Sequence, residues 1–278
     1  MIPCYNAEQF IEKAITSSFR SGASEVIVVD DGSTDSSASK ANSLGAAVIT
    51  QQNAGPAISR MKGLEMSKFE YVIFLDADDE LLPDGVNEMC SKMASDSALV
   101  GVVGSTLVRK HGKIRGKLDV RSRDLSFESL LGRGLPPGPP ACAAWKAAAV
   151  LDATKGNAPG PKTSHAEDYS LFLAMARFGQ IGKVDGYVCV YKAGLGRSSQ
   201  NIERGLADVE RIRQFFGEIS GIEVKSKSAK ELSQIRHFRL FYEAPWSAPV
   251  FKIMHLLISF AQGPLKFIKS SAYRIRGN

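Results

Sequence analysis

The chain alternates between short runs in which nearly every residue is apolar and stretches in which apolar residues recur every three or four positions. Phe10, Ala14, Ile15 and Phe19 share roughly one helical face, which predicts a helix over residues 7–20 capped by Asn6. Residues 25–29 form an apolar run that ends in Asp30-Asp31-Gly32-Ser33, the pattern of a buried strand. A polar helix then runs to Leu44, where Gly45 stops it, and residues 46–50 predict the next strand. Pro56 suits the first turn of a helix reaching about Ser67. Residues 71–75 are again continuously apolar and end in Asp76-Ala77-Asp78-Asp79. Continuous rather than alternating runs, separated by helices, imply a parallel sheet covered on both faces. This half reads as α/β and doubly wound.

From Leu99 the texture changes. Residues 99–109 and 113–118 flank His111-Gly112 as a hairpin, and residues 136–140 (Pro-Pro-Gly-Pro-Pro) make a stiff loop leading to residues 141–145. A helix over residues 165–178 is closed by Gly179, a strand over 186–191 follows, and residues 192–201 form a Gly/Ser-rich loop. Beyond Asn201 only helical patterns remain.

Composition narrows the picture. With 278 residues, 44% hydrophobic and 23% charged, the chain suits one generous domain with or without an appendage, not disorder, collagen or coiled coil. Four cysteines lie far apart without a C-x-x-C pair, so neither a disulfide framework nor a zinc site is expected and a reducing compartment fits. No signal-peptide pattern opens the sequence. The longest apolar stretch, residues 250–261, is interrupted by Lys252 and His255 and falls short of the ~20 residues a span needs. Of the net charge of +6, all resides in residues 236–278, where seven basic residues face only Glu243. A neutral body with a basic tail argues against a nucleic-acid partner and for peripheral contact with anionic lipid or an acidic partner. The expected location is cytoplasmic, with that contact at the cytoplasmic face of a membrane. An apolar stripe from Tyr242 through Trp246, Phe251 and Met254 to Ile258 reads either as a packed helix or as an interfacial one.

Two acidic clusters, Asp30-Asp31 and Asp76-Ala77-Asp78-Asp79, end predicted strands, and ligands of open parallel sheets sit beyond such ends. Turn chemistry is the bland account of each. Against it, two carboxylates ~4 Å apart repel by roughly 4 kcal/mol at an effective dielectric of 20, a cost that a divalent cation removes. Hard oxygen ligands in an Asp-x-Asp select Mg²⁺ or Mn²⁺, and magnesium held by few protein ligands usually shares its shell with substrate phosphates. A metal–diphosphate site at the sheet's carboxyl edge follows.

These segments also carry a resemblance. Ile2-Pro3-Cys4-Tyr5-Asn6-Ala7-Glu8, Val28-Val29-Asp30-Asp31-Gly32-Ser33-Thr34-Asp35, Asn53-Ala54-Gly55 with Arg60 and Gly63, and Phe74-Leu75-Asp76-Ala77-Asp78-Asp79 resemble, in this order and followed by Glu167-Asp168, the family 2 glycosyltransferases of the GT-A fold. The resemblance covers residues 1–200. It implies a mixed, mostly parallel sheet flanked by helices as the catalytic domain, with residues 201–278 as a helical, basic extension. It also implies metal-dependent transfer of a sugar, with inversion, from a nucleotide-sugar, UDP-linked by preference, to a hydroxyl of a glycan or lipid-linked acceptor, with Mn²⁺ or Mg²⁺ as cofactor. Pro3, Tyr5 and Asn6 would meet the nucleotide, and Asp31 with Asp30 its base. Asn53 and Arg60 would line the nucleotide pocket, Asp76 and Ala77 would approach the ribose side, and Asp78 with Asp76 would hold the metal.

Inversion needs a carboxylate to take the acceptor's proton, and Asp168 is the candidate. Glu167 reads instead as the far half of a capping box begun by Ser164. Residues 136–140 with Trp145-Lys146 would border the acceptor pocket, and Arg197 would lie in a loop closing over the diphosphate. His111 and His165 read as surface residues. Only Met1-Ile2 precede the Pro3-Cys4-Tyr5-Asn6 stretch, so the sheet's first strand is expected to be missing and to leave an exposed edge. That expectation keeps open a nucleotide-sugar-binding protein impaired in turnover. A sugar nucleotidyltransferase, which also uses metal-bound carboxylates, is the third reading.

Overall fold

The computed structural model describes residues 1–154, 160–161, 163, 165–194, 201–243 and 253–255. Its first half builds a three-stranded parallel sheet in the order β1 (Ile2–Cys4), β2 (Ile27–Asp30), β3 (Ala47–Thr50), with Ile2 opposite Val28 and Val29 opposite Ile49. The connections run through α1 (Ile11–Arg20) and α2 (Ser37–Ser43), and α3 (Pro56–Met66) leads on to β4 (Tyr71–Ile73). All four residues of β2 are buried, which is why that run is apolar without alternation.

A second, mixed sheet has the order β4–β8–β6–β9–β5, with β7 paired to β6. Its strands are β5 (Glu80–Leu81), β6 (Leu99–Lys110), β7 (Lys113–Leu118), β8 (Ala143–Lys146) and β9 (Gln180–Lys192). Here β6 and β9 run parallel and the remaining pairs antiparallel. Met1 joins the two sheets. Its nitrogen donates to Ile73 O at 3.0 Å and its carbonyl accepts from Leu75 N at 2.9 Å, the alternation of a parallel pair.

The expected loss of the first strand is therefore corrected. Three residues suffice for β1, which pairs with β2 on one side and, through Met1, reaches β4 on the other. Gly63 on α3 lets that helix lie close, since a Cβ there would sit 2.0 Å from Met1 Cε. Asn6 does not cap α1, which begins at Ile11 after Phe10 without a side-chain cap. At φ 50° Asn6 is left-handed, outside the extended region an N-cap needs, and its side chain is engaged elsewhere.

The hairpin forms as read, with His111 (φ 51°) and Gly112 (φ 76°) at its turn. The helices α4 (Pro83–Ser95), α5 (Phe127–Arg133) and α6 (Ala147–Thr154) have no counterpart in the sequence reading. The helix α7 (Glu167–Phe178) starts two residues late, and β9 extends well before residue 186. Trp145 is not a pocket residue. Because β8 runs antiparallel to β4, its first residues lie at the carboxyl edge while Trp145 and Lys146 lie at the far end, opposite Val72 and Tyr71. Trp145 packs edge-on to Phe172 with ring centroids 5.2 Å apart, and Lys146 Nζ donates to Ser97 O at 2.6 Å.

After residue 201 the chain forms α8 (Ile202–Ile219) and α9 (Ala229–Glu243). Ile212 and Phe216 of α8 are buried in the same core as the sheet, Phe216 edge-on to Phe127 at 6.4 Å. Arg213 fixes this packing by donating from Nε to Leu131 O at 2.8 Å. Among the described residues no helix is long and apolar enough to cross a membrane. Ser164, Arg197, the side chains of residues 237–250 and nearly all of the basic tail lie outside the described residues.

Candidate active site

Parallel strands β1, β2 and β4 end at one edge, and their following loops deliver most of the acidic and amide groups singled out above. Pro3 sits half-buried within β1 opposite Val29, with Tyr5, also half-buried, just beyond the strand. The Asn6 backbone donates to Ser33 Oγ at 2.9 Å while its Oδ1 accepts from Thr34 N at 2.8 Å. Asn6 thus locks the loop after β1 to the loop after β2.

Asp30 and Asp31 are both buried, at 2% and 4% exposure. Asp31 is fully engaged by protein. Its Oδ1 accepts from Ala54 N at 2.7 Å and Gln51 Nε2 at 2.8 Å, and its Oδ2 accepts from Gly55 N at 2.8 Å. The carboxylate shapes the 51–55 loop, whose Gly55 takes φ 93° at the head of α3. Asn53 lies exposed on that loop, while the Asp30 carboxylate accepts a long 3.4 Å bond from Ser33 N and its backbone carbonyl accepts from Gln51 N at 2.9 Å.

Arg60 is the centre of the site's charge. It lies on the buried face of α3 and is 6% exposed. One guanidinium nitrogen donates to Asp76 Oδ1 at 2.6 Å and another to Glu167 Oε1 at 2.9 Å. Burial alone would discourage the charge, but the two carboxylates outweigh it and hold Arg60 firmly protonated. Glu167 was read as half of a capping box, and this is corrected. The residue before α7 is Ala166, left-handed at φ 61° and making no side-chain cap, and the Glu167 carboxylate turns to Arg60 instead. No local signal in the sequence marks this role of Glu167, because its partner lies 107 residues away.

Asp168 follows on the first turn of α7. Its Oδ1 accepts from Tyr169 N at 2.8 Å, and its other oxygen has no hydrogen-bond partner among the described residues. Desolvation first, then the Glu167 charge, push its carboxyl up to about 7 against the pull of the Tyr169 amide and Arg60. An acid in that range exchanges protons readily near neutrality.

At the β4 end, Ala77 is half-buried against the core, and Asp78 reaches outward with its side chain 45% exposed. Burial and the Asp76 charge raise the Asp78 carboxyl, with Lys192 opposing at 4.0 Å from Oδ2. Asp79 is 1% exposed, its Oδ1 accepting from Lys192 N at 2.8 Å and its Oδ2 buried without a partner. Asp76, Asp78 and Asp79 thus crowd negative charge that Arg60 and Lys192 offset incompletely, and this fits a divalent cation at Asp78 and Asp76. Among the described residues no group of three or more His, Cys, Asp or Glu side chains forms a closed metal cage. A site of two carboxylates relies on ligands from substrate.

By the resemblance, Tyr191 and Lys192 belong with Arg197 to the loop expected to close over the diphosphate, but the contact of Lys192 with the acidic loop after β4 is not legible in the sequence. The position of Lys192 depends on β9 pairing with β6, a long-range register that no local pattern reveals. Cys142, at the head of β8, is wholly buried and close enough to feel Asp168, and burial pushes its thiol far from reactivity. His165 is not a surface residue as read. Its side chain is 16% exposed with Nδ1 3.5 Å from Asp208 Oδ2 of α8, tying the approach to α7 onto that helix.

Residues 1–148 match the model of Glycosyl transferase family 2. The poly-beta-1,6-N-acetyl-D-glucosamine synthase of Staphylococcus aureus is 28% identical over 139 residues, which is 48% of this chain and 33% of that protein. Glycosyltransferase YibD of Escherichia coli is 39% identical over 92 residues, 30% of this chain and 26% of that protein. The chain thus spans about a third or less of the length of these relatives. Among solved structures, residues 1–349 of S. aureus TarS in complex with UDP-GlcNAc superpose with TM-score 0.60 at 17% identity, covering 97% of this chain and 82% of that one. The mannosyltransferase PcManGT of Pyrobaculum calidifontis, in complex with GDP-Man and Mn²⁺, gives TM-score 0.56 at 19% identity, covering 96% and 76%. At these identities the superpositions establish a shared GT-A fold.

Proposed function

From the premise that the chain belongs to glycosyl transferase family 2, we propose that it transfers a sugar from a nucleotide-diphosphate donor to an acceptor hydroxyl, with inversion and with Asp168 as general base. The observation that carries this reading is the charge cluster Asp76–Arg60–Glu167–Asp168, which joins the end of β4 to the start of α7. It puts a carboxylate of raised proton affinity, with one oxygen open, on the same edge as the acidic loop. As the acceptor hydroxyl attacks the anomeric carbon, Asp168 takes its proton, and the nucleoside diphosphate leaves. Arg60 holds Asp76 and Glu167 in place, and the Asn6–Thr34 and Asp31–Gly55 contacts shape the loops that seat the nucleotide.

Asp78 and Asp76 would hold Mn²⁺ or Mg²⁺, which when bound stabilises negative charge on the departing diphosphate. UDP-N-acetylglucosamine is the favoured donor, supported by relatives whose names specify N-acetylglucosamine polymer synthesis and a UDP-GlcNAc complex. GDP-mannose, bound by a third relative, is its competitor. In this reading residues 1–200 are the catalytic domain and 201–278 an extension whose basic end touches an anionic membrane at its cytoplasmic face, where a lipid-linked or glycan acceptor is presented. Because β1 is in place and paired with β2, the exposed edge that would favour a binding-only protein does not arise.

Calorimetric titration with UDP, GDP, CMP and dTDP, each with and without Mn²⁺, tests the site. The expected result is tight binding of UDP that requires the metal and is lost in Asp78→Asn. Equal affinity with and without Mn²⁺ would remove the metal from the proposal, and preference for GDP would change the donor.

A further inference from the structure

An open groove of about 400 Å³ runs between α1 and the β6–β7 turn, outside the cluster described above. Lys13, Ser17 and Arg20 of α1 line one side, and Arg109 and Gly112 of the hairpin line the other, with Glu80 at its floor. Its volume lies in the ~300–1,000 Å³ range of ligand sites. Glu80 is the one acid in this lining and is held by Arg109, whose second guanidinium nitrogen lies 3.2 Å from Oε2. Lys13 and Arg20 have no acidic partner among the described residues. The groove therefore carries two uncompensated positive charges.

Their spacing selects the kind of anion. Lys13 and Arg20 are seven residues apart, which puts them on one helical face about 10.5 Å apart along the axis. An extended chain with repeated negative groups matches that spacing, one group to each cation. The groove also leads to the reaction edge. Arg109 is the register partner of Lys192, and Ala193 N donates to Arg109 O at 2.9 Å. Lys192 Nζ in turn lies 4.0 Å from Asp78 and 3.2 Å from the centroid of Phe10, at the head of α1. A basic track thus runs from Asp78 through Lys192 and Arg109 to Lys13 and Arg20.

We propose that this track holds an anionic glycan, a polysaccharide bearing phosphate or carboxylate groups along its length, as the acceptor or the growing product. Only the naming of that chain as acceptor or product rests on the glycosyl-transfer reading; the binding itself does not. Neutral glycans gain nothing from the two free cations. A membrane is the poorer occupant, because the cations line a concavity rather than a protruding face.

The test is equilibrium binding of fluorescent poly(glycerol phosphate) to the full chain, with neutral dextran and phosphatidylglycerol vesicles as comparators. Binding is expected for the polyphosphate alone and to fall as salt rises. The pair Lys13→Gln/Arg20→Gln is expected to weaken it roughly tenfold, with UDP affinity unchanged. The pair Lys68→Gln/Lys92→Gln, which removes the same charge elsewhere, is expected to leave it intact. Equal losses in both pairs, no binding at low salt, or vesicle binding that depends on Lys13 and Arg20 would each overturn the proposal. Failure of UDP to bind while the polymer behaves as expected would sink the transfer reading and leave the groove standing.

Discussion

Asp168 carries the most specific consequence at the scale of single residues. With its carboxyl raised to about 7, the base is half protonated near neutrality, so kcat/KM is expected to fall as pH drops below about 7. Asp168→Asn should lower turnover by at least ~100-fold with UDP affinity kept, measured by donor consumption and calorimetry. The same shift has a stability sign. A carboxyl whose folded pKa is raised favours the fold while protonated, and that contribution is lost as pH rises through about 7. The thermal midpoint of Asp168→Asn should therefore exceed that of the parent more at pH 8 than at pH 5. Glu167→Gln supplies an independent check, since the Glu167 charge is the second cause of the shift. Its acid limb is expected below that of the parent, and an unmoved limb would separate Glu167 from the base. Residue identities such as Asp78 and Asp168 were legible because their chemistry is carried in short motifs. The role of Glu167 and the acidic partners of Lys192 were not, because they depend on a residue 107 positions away in one case and on the loop after β4 in the other.

Elements place these groups through close approaches that only small residues allow. A Cβ on Gly101 of β6 would lie 2.1 Å from Trp145 Cε3, and Trp145 is wedged against Phe172 of α7. Gly101→Ala is expected to destabilise by about 1–3 kcal/mol, read as a lowered thermal or denaturant midpoint. The ring cannot yield without disturbing α7, so the loss should be accompanied by weaker turnover. Strands β2 and β3 followed directly from short apolar runs, and helices α2 and α3 from Gly45 as a stop and Pro56 as a start. Short β1 escaped notice because three residues carry almost no periodic signal, and its pairing is supplied by Val28–Asp30 and by Met1. Helix α4 did carry a legible signal, Pro83 at its first turn with Val86, Met89 and Met93 three to four residues apart, whereas α5 and α6 are too short for a clear period.

For the molecule as a whole, the uneven distribution of charge is the feature with functional reach. The body is neutral overall, yet it gathers negative charge at the β4 edge and positive charge along the adjoining groove, while residues 236–278 hold the net excess. If the tail touches an anionic membrane, neutralising Lys266, Lys269, Arg274 and Arg276 together should weaken binding to phosphatidylserine vesicles at least ~tenfold at low salt. Vesicle flotation that is unchanged in this variant would confine the tail to another role. Packing of α8 onto α5 and α7 ties the helical segment to the element carrying Asp168, through Phe216 on Phe127 and Asp208 at His165. Disturbance of that interface is thereby transmitted to the start of α7.

By itself the sequence determined the α/β class, the order of the nucleotide-side elements and the positions of the acidic loops. These follow from local rules, namely continuous apolar runs, helix stops and carboxylates at strand ends. Tertiary structure decided which carboxylates are occupied and which are open. Asp31 is consumed in building a loop, Glu167 is paired to Arg60, and Asp168 keeps an oxygen free among the described residues. It also turned Trp145 away from the site and drew Lys192 in. The reason is physical: strand direction and long-range register set which side chains meet, and desolvation at the meeting point sets their proton affinity. Neither quantity is written in any short stretch of chain.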